Sequence, residues 1–425
     1  MEKAVIFGCG QSAREYGGLI REQFEVIAYS CNRPEKWGQE LNGLTILEPA
    51  RIPEDAAIVV ASDRYYPEII YGLEQQGRSE NIYTVIHGHI IRYFPSAARE
   101  GQWAFEFPQL EAVPSELQAD ISGLCNSKCQ YCPFHSEFAN YPYPLQLMDE
   151  KVLDRIILQA RDIKTFKTLT FVGNGEPMTH PRWNEYATCI LQECGSIKEF
   201  VMYTNGMLLT RENVEKLSRL PARKIRLFIS IDGISPEDCE YWRKGEKFPV
   251  IQENVNEAWE ILGCQANLDV EFVVRGSVVL PHFVDVSSPA AVKSFLEESQ
   301  QWRKEMFPFA AHANVFAYPY ANQIPGTKTV AASMFPYATT CFNLFSLVPI
   351  AANGDILSCP CGPMTKNETG YIVGNIMEDD LLDVFYHNQD LLQMRNDLLN
   401  NRRPRQCGSC AGIGASKQLC LQRTE

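Results

Sequence analysis

Short apolar runs alternate with longer stretches in which apolar residues return every third or fourth position. The first kind reads as buried strand, the second as a helix with one buried face. Over residues 1 to about 95 the strand runs are Ala4–Phe7, Glu25–Tyr29, Ala57–Ala61 and Asn81–Ile86. Helices are predicted from the Gly8-Cys9-Gly10 turn through Gln23 and over Pro67–Gln76. That order predicts a small βαβ domain with a parallel sheet. Gly8-Cys9-Gly10-Gln11-Ser12-Ala13 fits G-x-G-x-x-A, a turn whose amides can meet a phosphate at a helix N-terminus. After the second strand come Ser30-Cys31-Asn32, with no carboxylate for a ribose hydroxyl. A linker rich in proline and aromatic residues, Pro95 to Pro114, follows.

From Glu116 the alternation lengthens. Strands are expected at Leu117–Ile121, Thr168–Val172, Glu199–Tyr203, Lys224–Ile231, Leu268–Arg275 and Asn314–Phe316. Helices are expected at Asp149–Arg161, Trp183–Cys194, Arg211–Leu220 (N-capped by Thr210), Val250–Leu262 and Pro289–Gln300. In the first of these Val152, Leu153, Ile156, Ile157 and Ala160 share one face. Strands joined by helices cross over right-handed, and six such units make an open partial (β/α)6 barrel. Chemistry in barrels of this kind collects at the C-terminal ends of the strands. Nearer the C-terminus, Asn353-Gly354 between Leu344–Ala351 and Asp355–Leu357 signals a two-residue hairpin, and one helix is expected from Asp379 to about Asn400. The fold class is α/β, in segments 1–96, 97–112 (linker), 113–333 and 334–425.

The expected strand ends carry the candidate chemistry. Cys125-Asn126-Ser127-Lys128-Cys129-Gln130-Tyr131-Cys132 follows the first. Extended, eight residues reach roughly 25 Å, so the loop must curl to aim three sulfurs at one place. Soft thiolates select zinc, copper(I) or an iron–sulfur cluster. Zinc sites usually pair two short knuckles, and no second knuckle is near. Three thiolates on a [4Fe–4S] cluster leave one iron open to a non-protein ligand. Later strand ends carry Gly173-Asn174-Gly175-Glu176-Pro177, Thr204-Asn205-Gly206 and Ser230-Ile231-Asp232-Gly233.

Composition narrows the classes. A net charge of −13 argues against a nucleic-acid partner, and Arg402-Arg403-Pro404-Arg405 reads as a solvated helix end. No apolar run approaches the roughly 20 residues of a membrane span, and Met1–Gly8 runs into a strand and not a signal peptide. The 15 cysteines then read as metal ligands plus core thiols in a reducing cytosol, which predicts a cytoplasmic protein. Cys189, Cys194, Cys239 and Cys264 lie in helix-like stretches and read as small buried hydrophobes.

The C-x3-C-x2-C spacing, with an aromatic residue before the last cysteine, resembles the signature of the radical S-adenosylmethionine superfamily. The resemblance implies a [4Fe–4S] cluster on Cys125, Cys129 and Cys132 whose open iron binds S-adenosylmethionine and cleaves it to a 5′-deoxyadenosyl radical. Gly173-Asn174-Gly175-Glu176-Pro177 resembles the family's G-G-E-P motif, with Asn174 departing from it. That implies that Gly173, Gly175 and Glu176 bind the methionine amino group, that Asn205, Ser230 and Asp232 touch the ribose and carboxylate, that Arg275 meets the carboxylate, and that Tyr131 packs by the adenine. Read alone, each of these is ordinary turn chemistry.

Cys341-x12-Gly354-x4-Cys359, a helix, then Cys407-x2-Cys410 is similar to the SPASM/twitch extension of that superfamily. A full SPASM domain has further cysteines; Ser416 stands where the next would fall. Cys341, Cys359, Cys407 and Cys410 suffice for one auxiliary [4Fe–4S] cluster, with a zinc ribbon as the alternative. Residues 1–96 are similar to the Rossmann-like domains of sugar-modifying enzymes, which hold a nucleotide-sugar or serve only for docking.

Together these imply hydrogen-atom abstraction from a sugar, nucleotide-sugar or cyclitol, by dehydrogenation or epimerisation, with a flavodoxin- or ferredoxin-type electron donor. The alternatives are maturation of a ribosomally made peptide and a non-catalytic iron–sulfur or zinc scaffold. An epimerase returns a hydrogen atom to its substrate radical, and Cys361, two residues beyond a presumed ligand, is the candidate donor.

Overall fold

Runs that are apolar at every position become strands covered on both faces: Ala4–Phe7 and Ala57–Val60 are wholly buried, as a parallel sheet requires. They belong to the first of two large sheets in a computed structural model that describes residues 1–61, 66–86, 89–93, 105–106, 111–137, 139, 145–278, 289–310, 312–317, 341, 343–360, 371–399 and 404–407. Five parallel strands lie side by side as Leu44–Leu47, Phe24–Ser30, Glu2–Phe7, Ala57–Val60 and Ile82–Ile86. In chain order that is third, second, first, fourth, fifth. Antiparallel strands extend both edges. The helix expected through Gln23 is two, Gln11–Glu15 and Gly17–Gln23, broken at Tyr16 where Gly17 and Gly18 weaken helix propagation.

The second sheet sets Glu116–Ala119, Thr168–Phe171, Glu199–Thr204, Lys224–Ser230, Asp269–Val278 and His312–Ala317 in parallel and in chain order. Helices Glu150–Ala160, Trp183–Glu193, Arg211–Ser218, Phe248–Leu262 and Pro289–Met306 make the crossovers. Glu150–Ala160 starts where expected, because Asp149 accepts from the Val152 amide at 3.0 Å, and it buries Val152, Leu153, Ile156 and Ala160. Thr210 stands at the N-cap of Arg211–Ser218 but makes no side-chain capping bond, contrary to expectation. A helix that the apolar pattern did not show, Pro236–Trp242, is capped by Ser235, which accepts from the Asp238 amide at 3.1 Å.

The C-terminal hairpin continues this sheet. Leu347–Ile350 pairs in parallel with Glu116–Ala119, and Asp355–Leu357 and Ile372–Asn375 follow antiparallel. Leu344, read as strand, lies in a helical turn, Asn343–Ser346. The hairpin loop has three residues instead of two. The Gly354 amide closes a turn on the Ala351 carbonyl at 2.9 Å, and Gly354 takes φ +89°, the left-handed position that completes such a loop. The single helix expected over 379–400 is split into Leu381–His387 and Gln389–Leu399. Asn388 is extended at the break and accepts from the Leu391 amide at 3.1 Å. Of the four helix cysteines, Cys194 and Cys239 are buried, whereas Cys189 and Cys264 are exposed.

Candidate active site

The cysteine loop lies at the C-terminal end of Glu116–Ala119, the middle strand between Leu347–Ile350 and Thr168–Phe171. Cys129 is buried, while Cys125 and Cys132 are partly so. The charge of Cys132 acts on both other thiols. Burial pushes Cys125 up to about 11 and raises Cys129 and Cys132 as well. The Ser127 amide donates to Cys125 Sγ and the Phe134 amide to Cys132 Sγ, each at 3.4 Å. No three His, Cys, Asp or Glu side chains among the described residues surround a single ion-sized point. A lone zinc needs its thiolates at about 2.3 Å from one centre. A cluster puts each thiolate on a separate iron and is tuned by N–H donors to sulfur, and the amide bonds to Cys125 and Cys132 fit that chemistry.

Both glycines of the Gly173–Pro177 turn are there because nothing larger fits. A Cβ on Gly175 would lie 2.1 Å from the Leu124 carbonyl oxygen and 2.5 Å from that of Ser122. One on Gly173 would lie 2.0 Å from Asp120 Cγ. The turn therefore presses directly on the start of the cysteine loop, and the Glu176 amide donates to the Leu124 carbonyl at 2.8 Å. From the loop's far end, His135 Nε2 is 2.8 Å from the Asn174 carbonyl. Asp120, which the motif reading passed over, accepts from the Asn174 amide at 3.1 Å, and burial pushes it up to about 7.

Glu176 is buried and binds three donors. Its Oε1 accepts from the Met178 amide (3.2 Å) and Thr204 Oγ1 (3.0 Å), and its Oε2 from the Asn205 amide (2.7 Å). Burial nevertheless pushes it up to about 7. A carboxylate offers about four acceptor sites, and these three donors fill three of them.

A hydrogen-bonded chain runs on from Glu176 through the loop. Asn205 Nδ2 donates to Asn126 Oδ1 (2.7 Å) and Ser127 Oγ (3.0 Å), and Ser127 Oγ donates to Glu246 Oε1 (2.8 Å). Arg243 Nε donates to Glu246 Oε2 (2.7 Å), while its Nη1 donates to the Tyr131 hydroxyl (2.9 Å) and Asp232 Oδ2 (3.1 Å). The Tyr131 hydroxyl also donates to Asp232, and its ring packs with Trp242 and Cys129. Asp232, Asn205 and Glu176 are thus brought together with the cysteine loop. Ser230 ends its strand, and Arg275 is its register partner on the neighbouring strand. Beneath them the fully buried Arg303 donates Nε to the Ile231 carbonyl at 2.9 Å and fixes the Asp232 loop. Arg243, Glu246 and Arg303 lie in no turn motif. Their sequence neighbours carried no signal of burial: each has a lysine beside it, Lys244, Lys247 and Lys304, as on a solvated face.

Of the second cysteine set, Cys341, Cys359 and Cys407 are described, whereas Cys410 and Cys361 lie outside the described residues. Tyr371 links two of them: its carbonyl accepts from the Ser358 amide at 2.7 Å and its hydroxyl donates to the Gln406 carbonyl. The Ser358 hydroxyl, beside Cys359, is buried with no partner among the described residues, an orphan donor that a cluster sulfur suits. No helix among the described residues is long and apolar enough to cross a membrane.

Residues 120–282 match the radical SAM superfamily, 341–411 the iron-sulfur cluster-binding domain SPASM, and 1–82 the family described as C2185-like, N-terminal. A curated relative, the GTP 3′,8-cyclase of Alkaliphilus oremlandii (strain OhILAs), is 26% identical over 201 residues. That match spans 45% of this chain and 60% of the relative's length. Among solved structures, BtrN in complex with AdoMet and 2-DOIA is 16% identical, covering 68% of this chain and 89% of that one, with a TM-score of 0.42. Streptococcus suis SuiB bound to S-adenosylmethionine is 17% identical over 79% of each chain, with a TM-score of 0.45. The chain carries a radical SAM domain followed by a SPASM domain, and its cofactors are a [4Fe–4S] radical cluster, S-adenosylmethionine and auxiliary iron–sulfur.

Proposed function

We propose that this protein abstracts a hydrogen atom from a carbon of a sugar, nucleotide-sugar or cyclitol, with dehydrogenation or epimerisation as the outcome. The observation that carries the reading is the continuous chain from Glu176 through Asn205, Ser127 and Glu246 to Arg243, Tyr131 and Asp232. It ties the ends of three parallel strands to the cysteine loop. When bound, the cluster and S-adenosylmethionine supply a 5′-deoxyadenosyl radical, and the protein supplies binding, orientation and exclusion of water.

In this reading Cys125, Cys129 and Cys132 hold the radical cluster. Glu176 takes the methionine ammonium with its remaining acceptor site. Gly173 and Gly175 let the turn approach the loop, and Asn205, Ser230 and Asp232 line the ribose side. Arg275, from its place beside Ser230, serves the carboxylate, and Tyr131 borders the adenine. Cys341, Cys359, Cys407 and Cys410 hold one auxiliary cluster. Cys361 is the hydrogen-atom donor if the outcome is epimerisation.

The substrate class rests on residues 1–96, read as a Rossmann-like domain. Its strand order, third-second-first-fourth-fifth, supports that reading, since it matches the first five strands of the doubly wound dinucleotide-binding sheet. Among the described residues a Cβ on Gly10 would meet nothing within 4 Å, which suits backbone approach to a phosphate. Release of 5′-deoxyadenosine against a panel of nucleotide-sugars, cyclitols and peptides tests the reading. Turnover coupled to a sugar-like compound is expected; turnover with peptides alone sinks it. Cys361→Ala separates the outcomes: product loss with both clusters intact marks a donor, and untouched product formation favours dehydrogenation.

A further inference from the structure

Arg243 belongs to no motif, yet it is the cross-strand partner of Cys129 in a two-residue antiparallel ladder, Lys128–Cys129 against Arg243–Lys244. The ladder is extended by the Gln130 amide, which donates to the Trp242 carbonyl at 2.9 Å. The side chain is buried and held on three sides, by Glu246, Tyr131 and Asp232. Its positive charge acts on all three cysteines of the loop, and the charges of Glu246 and Asp232 oppose it at Cys129.

We propose that Arg243 is a positioning residue that also sets the reduction potential of the cluster on Cys125, Cys129 and Cys132, raising it against the opposing pull of Glu246. This rests on the radical-enzyme reading above. Reduction adds one negative charge to a cluster. A fixed cation in a buried site favours the reduced form, and a fixed carboxylate favours the oxidised form. Because the guanidinium is locked by hydrogen bonds, it cannot swing to solvent and be replaced by water. The same bonds hold the loop, so Arg243 couples the shape of the cluster site to its charge.

The test uses the full chain, reconstituted with iron and sulfide under anaerobic conditions, without S-adenosylmethionine, at pH 8. The midpoint potential of the radical cluster is read by redox titration followed by electron paramagnetic resonance. Arg243→Met lowers the potential, Glu246→Gln raises it, and Arg243→Lys leaves it close to the wild type. Each shift is on the order of tenfold in the reduced-to-oxidised ratio, or about 59 mV for a one-electron couple. A purely structural clamp loses iron in the variants without moving the potential in opposite directions. The proposal is overturned if Glu246→Gln, with its cluster intact, fails to raise the potential. It is equally overturned if Arg243→Met, with its cluster intact, fails to lower it. Should Arg243→Met not fold, Glu246→Gln decides by its own criterion, and an Arg243→Lys variant whose intact cluster departs from the wild-type potential by that tenfold shift also overturns the proposal. A wild type that forms no [4Fe–4S] spectrum overturns the radical-enzyme reading first, which separates the two failures.

Discussion

Both sheets end their first strand in a turn that carries cysteine, and both turns meet a neighbouring strand end, yet their contents differ. At the C-terminal strand ends of the first sheet the free thiols of Cys9 and Cys31 are hydrogen-bonded neighbours, and burial pushes Cys9 up to about 11. The Cys31 carbonyl accepts from Trp37 Nε1 at 2.8 Å, and the buried polar side chains of this sheet among the described residues are neutral, Ser30 and Thr84. Around the C-terminal strand ends of the second sheet Asp120, Glu176, Asp232, Arg243 and Glu246 are all buried. Buried charge destabilises unless it is paired, so the fold tolerates it only where partners converge from several strands. Among the described residues the same parallel topology buries neutral groups at the strand ends of one sheet and charged groups at those of the other. The chemistry follows from the side chains at the strand ends, and the topology alone does not specify it.

The sharpest way to break this contrast is to remove the thiols. Reconstituted wild-type protein should hold about eight irons, four in each of two clusters. Changing Cys125, Cys129 and Cys132 together to alanine should leave about four and abolish cleavage of S-adenosylmethionine. Iron analysis and 5′-deoxyadenosine assay check this, and persistent cleavage ends the assignment.

Next come the glycines of the two turns. Gly175→Ala drives a methyl into the Leu124 and Ser122 carbonyls and should cost about 1–3 kcal/mol or more, displacing the cysteine loop. Gly10→Ala meets open space and should change stability by less than about 0.5 kcal/mol. Thermal melting of the two variants compares the turns directly; equal losses would mean that the second turn is no tighter than the first.

Glu176→Gln retains shape and removes a charge. Loss of a charge-assisted bond to an ammonium costs about 1.5–3 kcal/mol, so affinity for S-adenosylmethionine should fall roughly ten- to a hundredfold with iron content unchanged. Calorimetric titration that finds equal affinity would reduce Glu176 to a strand-bridging acceptor.

The smallest effect is one of pH. Asp120 and Glu176 are both pushed up to about 7 by burial, so the folded apo-protein holds protons that the unfolded chain has released. Their contribution to stability is full below pH about 4 and is lost as pH rises through about 7. Asp120→Asn should flatten that decline in denaturant midpoint between pH 5 and 8, relative to wild type, by about half or less. An unchanged decline in the variant would show that Asp120 is already ionised in the fold over that range.

Much of this was legible beforehand because local rules carry it. The six strand runs from Leu117 to Phe316 follow from apolar continuity, and the helix after Asp149 from the shared apolar face of Val152, Leu153, Ile156 and Ala160. The misreadings fell where local signals compete. Thr210 has the right residue type and position but no capping bond, and the helix over 379–400 is interrupted by Asn388, whose side chain found a cap and a strand carbonyl to bond.

The sequence by itself determined the order of strands and helices, the cysteine spacings and the glycine turns, because each depends on neighbours within a few residues. Only the tertiary structure decided that Leu347–Ile350 joins the sheet beside Glu116–Ala119, and that Arg243 lies against Cys129. The first joins residues more than two hundred positions apart and the second more than one hundred. A charged residue is indistinguishable from a solvated one until the fold closes over it. Burial and pairing are properties of several strands at once, and no window along the chain contains them.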